Sequence, residues 1–422
     1  MTDNGHTAVL NPQRVVDDLR ELQRLTGDVH GAQRLAWTEP WDQARQWLQS
    51  RLAELPVEVC VDEAGNVWAT LAGASPRALI LGSHIDSVPG GGWLDGCLGV
   101  AAGLEVLRYW AARGTPPVTL RLAAWAEEEG TQFGLSLFTS HAVCGPFDPT
   151  ALREVRDAHG ARLTDVIGRW GVDLDRAGLA ARQMENAAAY LELHIEQGPV
   201  LENLNLPLAA VLGTMGLERH RLVFRGQTAH AGSTPMTMRR DALSAAARFA
   251  LAVREIAVRH EGVSTVGSLI PRPGIVTAVA GECECTLDQR HIEAPALAAM
   301  LGEARVASET IAGWERVEVA WERLYHVPPV RFHEELTALG AQVVGELSGS
   351  AYVMPSGPLH DAVAVAQSGV PTAMLFVQSL RGLSHTSEED TREADLRLAV
   401  EALERLAERT ARWIEQQPER LR

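Results

Sequence analysis

The sequence predicts a two-domain α/β protein in which a smaller α+β domain interrupts a larger one, and three observations lead there. Apolar runs at Ala78 to Leu81, Val118 to Trp125 and Thr372 to Val377 read as buried strands set among amphipathic helical segments. Between about Gly213 and Val327 the pattern changes to strand, helix, strand, strand, helix, strand, the ferredoxin-like order, and looks like an insertion. A chain of 422 residues is also too long for one ordinary core.

Two helices come first, over 12 to 25 (Val15, Val16, Leu19, Leu22, Leu25) and 39 to 54 (Trp41, Ala44, Trp47, Leu48, Leu52). A short strand pair, 57 to 61 and 66 to 71, turns at Asp62-Glu63-Ala64-Gly65. The Ala78 to Leu81 strand runs into a glycine-rich loop, then a helix from Gly96 to about Arg113; the strand 118 to 125 is followed by another helix from about Phe133. Tyr190 to Gln197 alternates, with Leu191, Leu193 and Ile195 facing one way and Glu192, His194 and Glu196 the other. In the insertion, strands are expected at 218 to 226, 263 to 270, 281 to 290 and 315 to 323, and helices at 241 to 260 and 295 to 312. A helix near 333 to 348, the strand 372 to 377 and a long amphipathic helix from about 393 to 416 complete the chain.

A formal charge of −16 and a pI near 5.4, with no basic stripe, argue against nucleic acid and anionic membrane surfaces. There is no lysine, which removes Schiff-base, lysine-base and Walker-type chemistry. Five cysteines without a C-x-x-C pair suit a reducing compartment better than a disulfide framework. The start MTDNGHTAVLNPQRVVDDL lacks a basic-then-apolar leader, and no window approaches ~18 uninterrupted apolar residues. A soluble, cytoplasmic protein is the expectation.

Chemistry-bearing residues fall at strand ends. His84 and Asp86 follow the first buried strand, Asp95 precedes a helix, Glu128 and Glu129 follow 118 to 125, His194 lies in 190 to 197, and His385 lies beyond 372 to 377. Any one of these has an ordinary structural explanation; five converging on one sheet edge point to a divalent-metal site built from imidazole and carboxylate. A pair of ions ~3.5 to 4 Å apart wants one shared carboxylate, for which Asp95 is the choice. Asp86 suits the other N–H of the His84 imidazole, although it also reads as a polar loop residue. Successive side chains diverge, so one of Glu128 and Glu129 can ligate while its neighbour exchanges protons with an activated water.

The segments GSHIDSVPGGGWLDGCLGV, EEEGTQF, LHIEQGP, GQTAHAGSTPM, SGPLHDA and GLSHTSEE resemble, in order and spacing, the two-metal amidohydrolases of the M20 peptidase clan. The likeness is to the hydantoinase/carbamoylase branch, which includes N-carbamoyl-L-amino-acid amidohydrolases, allantoate amidohydrolases and β-ureidopropionases. It implies a zinc-exopeptidase-like catalytic domain, residues 1–213 and 328–422, and a lid and dimerisation domain, residues 214–327. It implies one ion held by His84, Asp95 and His194, a second by Asp95, Glu129 and His385, and Glu128 as general base and acid. Zn is the expected metal, with Mn, Co and Ni as alternatives. The resemblance further implies a homodimer, His230 as a donor to the oxyanion, Arg290 as the grip on a substrate carboxylate, and Gln197 and His360 as pocket residues.

The expected activity is hydrolysis of an N-carbamoyl-L-amino acid or a related ureido compound. An N-acyl-amino-acid amidohydrolase or dipeptidase is the alternative enzyme, and a silent homologue kept as a dimeric binding module the alternative from another class. Four positions depart from the family pattern. Thr277 replaces a substrate-binding Asn, Gln132 replaces an Arg, Leu359 a Gly, and Gln378 a Pro. All cluster around substrate, and none is an expected metal ligand.

Overall fold

The computed structural model describes residues 9–145 and 147–418; the first eight residues of the start read for a leader lie outside them. The chain divides into two compact units, one reaching to Leu212 and resuming at Phe332, the other Gly213–Arg331.

In the first unit the sheet runs Leu208–Thr214, Thr372–Val377, Ala187–Ile195, Ser75–His84, Val118–Trp125, Val67–Leu71, Glu58–Val61, with Val353–Ser356 also paired to the first of these. The middle four strands are parallel; Val67–Leu71 and Leu208–Thr214 join them antiparallel. Alternation sorts the side chains into two cores. Leu79, Leu81, Leu120, Leu122, Leu191, Leu193, Ile195, Leu375 and Val377 meet the helices Pro12–Thr26, Glu39–Leu52, Cys97–Ala112, Glu334–Ser348 and Glu393–Gln416. Ile80, Ala123, Trp125, Tyr190, Met374 and Phe376 face the short helices Phe138–Cys144 and Asp361–Gln367. Both faces being covered, the polar groups of the central strands concentrate where the strands end.

The second unit is built on a five-stranded antiparallel sheet in the order Val263–Thr265, Glu282–His291, Gly216–Arg225, Glu318–Val327, with Leu269–Arg272 also paired to Glu282–His291. With the helices Ala242–Arg259 and Ala294–Glu315 this is the βαββαβ arrangement. Leu222, Phe224, Cys283, Cys285 and Leu287 pack under Phe249, Val253, Met300 and Ala304. On the other side of Ala242–Arg259, Leu243, Leu251 and Val258 are exposed.

Several elements differ from expectation. The strand foreseen over 263 to 270 is two, Val263–Thr265 and Leu269–Arg272, both paired to Glu282–His291 and separated by Val266-Gly267-Ser268. The helix expected from Phe133 begins at Phe138, because Gly134 and Leu137 take positive φ of 70° and 60°, which a helix does not accommodate. The strands Leu208–Thr214 and Val353–Ser356 and the helix Asp361–Gln367 were not foreseen. Among the described residues no helix is long and apolar enough to cross a membrane.

Candidate metal centre

The carboxyl ends of the four parallel strands deliver the site. His84 is the last residue of Ser75–His84, His194 the penultimate residue of Ala187–Ile195, Glu127 to Glu129 follow Val118–Trp125 after one residue, and His385 lies in the loop after Thr372–Val377. Asp95 comes from the turn ahead of Cys97–Ala112. That turn needs Gly96, whose φ is 66° and where a Cβ would overlap the His84 ring.

Besides Glu192, His194 and His360, whose ligand atoms also lie close enough to hold an ion, two candidate ligand groups result, both using Asp95. In the first, Asp95 Oδ1 lies 3.2 Å from His194 Nε2 and 3.7 Å from His84 Nε2, and the two imidazole nitrogens are 3.5 Å apart. In the second, Asp95 Oδ2 lies 3.3 Å from His385 Nε2, which is 3.6 Å from Glu129 Oε1. Atoms about 2.0–2.1 Å from one ion at tetrahedral angles lie roughly 3.3 Å from each other, so both groups have the spacing of an ion's coordination shell. Among the described residues neither Glu129 Oε1 nor Gln197 Oε1 accepts a hydrogen bond, and the Gln197 amide nitrogen donates to Asp95 Oδ2 at 3.0 Å. The donors are the nitrogen and oxygen set that a zinc-like ion takes.

The surrounding residues hold these side chains in place. His84 Nδ1 is 3.1 Å from the backbone oxygen of Asp86 and 3.4 Å from its carboxylate, leaving Nε2 for the first group. The Asp86 carboxylate also accepts the backbone N–H groups of Glu128 and Glu129 at 3.1 and 3.2 Å, joining two strand ends. The sequence reading foresaw only its imidazole contact. His360 is buried at the start of Asp361–Gln367, its ring 4.4 Å from that of His194 and its Nε2 2.9 Å from Ser356 Oγ. Arg34, fully buried, donates from Nε to the Ile85 carbonyl at 3.0 Å and so grips the loop after His84. Glu127, the first of the three acids, turns away and accepts from the Trp37 indole. Reasoning on sequence missed Arg34, Glu127, Glu192, Ser384 and Glu389. The only local signal was the polar face of YLELHIEQ, which carries Glu192 beside His194.

Burial and the mutual charges of these side chains shift their titrations. Burial and the charge of Asp95 push Glu129 up to about 7, and the same causes act on Glu389, also about 7. The hydrogen bond to Asp95, against an opposing effect of burial, raises His385 to about 9. Burial, followed by the Glu129 charge, holds Glu128 well above the carboxylate range, while His84 opposes that rise. For Asp95 burial acts upward, but hydrogen bonds from His194, His385 and His84 outweigh it and hold the group well below its ordinary range.

A group with a raised folded pKa stabilises the fold while protonated and loses that contribution as pH climbs through the folded value. Metal-stripped protein should therefore lose thermal stability as pH rises from about 5 to 9, through the titrations of Glu129, Glu389 and His385. Asp95, held low, acts in the opposite sense and only in acid. Melting curves of stripped and loaded protein check this, and a stripped Tm that increases across the range would contradict it.

The remaining expected site residues belong to the second unit. His230 is exposed, and its Nδ1 accepts the backbone N–H groups of Gly232 and Ser233 at 3.1 and 3.2 Å. That bonding places the proton of a neutral ring on Nε2. Thr277 is its ladder neighbour: His230 pairs with Ala278, and the Ala231 N–H donates to the Thr277 carbonyl at 2.8 Å. Arg290 makes an ion pair with Asp288 at 2.8 Å, and Asp288 also meets Arg219 at 2.7 Å.

The family model of peptidase family M20/M25/M40 matches residues 80–409, a span that contains every residue of both ligand groups. The chain belongs to that family. Within it, this M20 protein is a member of the hydantoinase/carbamoylase branch and an amidohydrolase. It is 36% identical to the N-carbamoyl-L-amino acid amidohydrolase of Geobacillus stearothermophilus, over 88% of this chain and 92% of that one. With the allantoate amidohydrolase of Escherichia coli it shares 34%, over 88% and 91% of the two chains. A crystal structure of a hydantoinase/carbamoylase family amidase from Burkholderia multivorans superposes with a TM-score of 0.87 at 30% identity, covering 95% of this chain and 98% of that one. The M20 amidohydrolase thus combines the expected fold class with a donor set suited to divalent ions.

Proposed function

We propose that the chain is a two-metal amidohydrolase that opens the C–N bond of an N-carbamoyl-L-amino acid or related ureido compound. The observation that carries this is the sharing of Asp95, one carboxylate oxygen in each of two ligand groups. Two divalent ions, Zn or alternatively Mn, Co or Ni, supply a water that is nucleophilic near neutral pH and a Lewis acid for the substrate oxygen.

The chain's own residues do the rest. Glu128, its carboxyl raised by burial and positioned by the bond from its backbone N–H to Asp86, takes the proton of the attacking water and returns it to the leaving nitrogen. His230, with its proton on Nε2, donates to the oxyanion as the carbamoyl carbon becomes tetrahedral. Arg290 offers a planar fork to the substrate carboxylate, with Asp288 fixing its orientation, and Thr277 lies beside His230 for a further polar contact. In this reading Gln197 reaches substrate from its place against Asp95, and His360, buried against the His194 ring, supports the pocket from behind. The amino acid leaves with its nitrogen, and the carbamic acid falls to CO₂ and ammonia. The working form in this reading is a cytoplasmic homodimer joined through the second unit, with exposed Leu243, Leu251 and Val258 as the covered face.

Leu359, partly buried next to His360 where the family pattern has glycine, favours the second reading, an apolar N-acyl substrate or dipeptide. A kinetic panel of N-carbamoyl, N-acetyl and dipeptidyl forms of one amino acid, run on metal-loaded protein, separates the two. Turnover of the carbamoyl form is expected; turnover of the acyl forms alone would transfer the assignment to the second reading. Sedimentation of the same preparation at the mass of a single 45.7 kDa chain would rule out the dimer.

A further inference from the structure

Glu389 lies in neither ligand group, yet it connects the loops that build the second. It is 2% exposed. Its Oε1 accepts the backbone N–H of Leu94 at 3.0 Å and of Asp95 at 3.1 Å. Its Oε2 accepts the Ser384 hydroxyl at 2.9 Å. Ser384 Oγ is in turn 3.2 Å from Asp95 Oδ2 and receives the Gln197 amide at 3.2 Å. The next residue is His385, held at a φ of 57° that non-glycine residues seldom adopt. Adjacent to Glu389, Asp390 accepts from the Trp93 indole at 3.3 Å, so residues 389 and 390 grip the turn that presents Asp95. A Cβ at Gly92 would overlap the Glu389 carboxylate, so the turn closes around that side chain.

We infer that Glu389 is a positioning residue for the second ion: it holds Asp95 and His385, ligands from loops about 290 positions apart, at the spacing that one ion requires. Both of its oxygens are committed to N–H and O–H donors, in contrast to Glu129, whose Oε1 accepts no hydrogen bond among the described residues. Glu389 therefore acts through other residues. The first group does not depend on it in the same way, because two of its three ligands are held by parallel ladders, His84 opposite Trp125 and His194 opposite Phe376. Losing Glu389 frees the His385 loop and loosens Asp95, which weakens the second ion far more than the first. The inference rests on the two-metal reading above.

Zn²⁺ titration of metal-stripped full-length protein in a calorimeter tests it, with wild type and His385→Ala as references. Wild type should take two ions per chain, and His385→Ala one tightly. Glu389→Ala should resemble His385→Ala, with the first ion retained and the second weakened about 10- to 100-fold. Glu389→Gln, whose amide oxygen still accepts the two N–H groups and whose NH₂ can donate to Ser384 Oγ, should recover most of that loss. Should Glu389→Ala fail to fold, Ser384→Ala cuts the same link from the other end and should show the same split. A wild type that binds fewer than two ions overturns the two-metal reading. A two-ion wild type whose Glu389→Ala form loads both ions normally or loses both equally, or whose Glu389→Gln form recovers nothing, overturns the role of Glu389. If Ser384→Ala has to stand in, normal loading of both ions overturns it as well.

Discussion

Glu128→Gln should leave the fold and the bound metal unchanged while kcat falls by about 10²- to 10⁴-fold, the usual contribution of a general acid–base group. The amide fills the same buried space but cannot carry the proton between water and leaving nitrogen. Because Glu128 lies outside both ligand groups, metal content should not fall with activity. That combination separates its role from the ligand role proposed for Glu129, where a Gln substitution should lower occupancy of the second group. Steady-state kinetics with metal analysis on the same preparation decides; near-normal turnover in Glu128→Gln would place the proton transfer elsewhere.

Asp95→Asn should have the larger effect on metal. Each oxygen of Asp95 belongs to a different ligand group, and three imidazoles converge on it. An amide replaces one acceptor with a donor directed at an imidazole or ion and removes the charge that offsets two cations. Affinity for both ions should fall by at least about 10- to 100-fold, with activity lost in proportion. His385→Ala, by contrast, should lose one ion and keep the other. Metal content after dialysis against a weak chelator distinguishes the two variants, and two retained ions in Asp95→Asn would remove it as the shared ligand.

Much of the site was legible in the sequence because strand ends advertise themselves. An apolar run followed by His, or by two adjacent acids, marks a place where a buried strand meets a polar edge, and the alternation in YLELHIEQ assigned His194 to its face. Pairings set by the tertiary fold carried no such mark. Glu389 stands in SEED, a tetrapeptide that reads as solvated loop, and its partners Leu94 and Asp95 lie 295 and 294 positions away. Arg34 has no sequence pattern around it that marks a buried cation, yet it is fully buried beneath the His84 loop. The strand Leu208–Thr214 was missed for a different reason. Its run is short and mostly apolar without alternation, and it becomes a strand by pairing with neighbours distant in sequence, Thr372–Val377 above all.

The pairing of Ala187–Ile195 has a consequence for how the enzyme can vary. His194 is opposite Phe376 in the parallel ladder, with Leu193 and Ile195 turned into the core on the reverse side. A slip of one residue would present leucine to the ion and bury a histidine and a glutamate among aliphatic side chains. Sheet register is therefore a catalytic parameter here. Insertions in the loops flanking this strand should be tolerated far better than a single residue gained or lost within it.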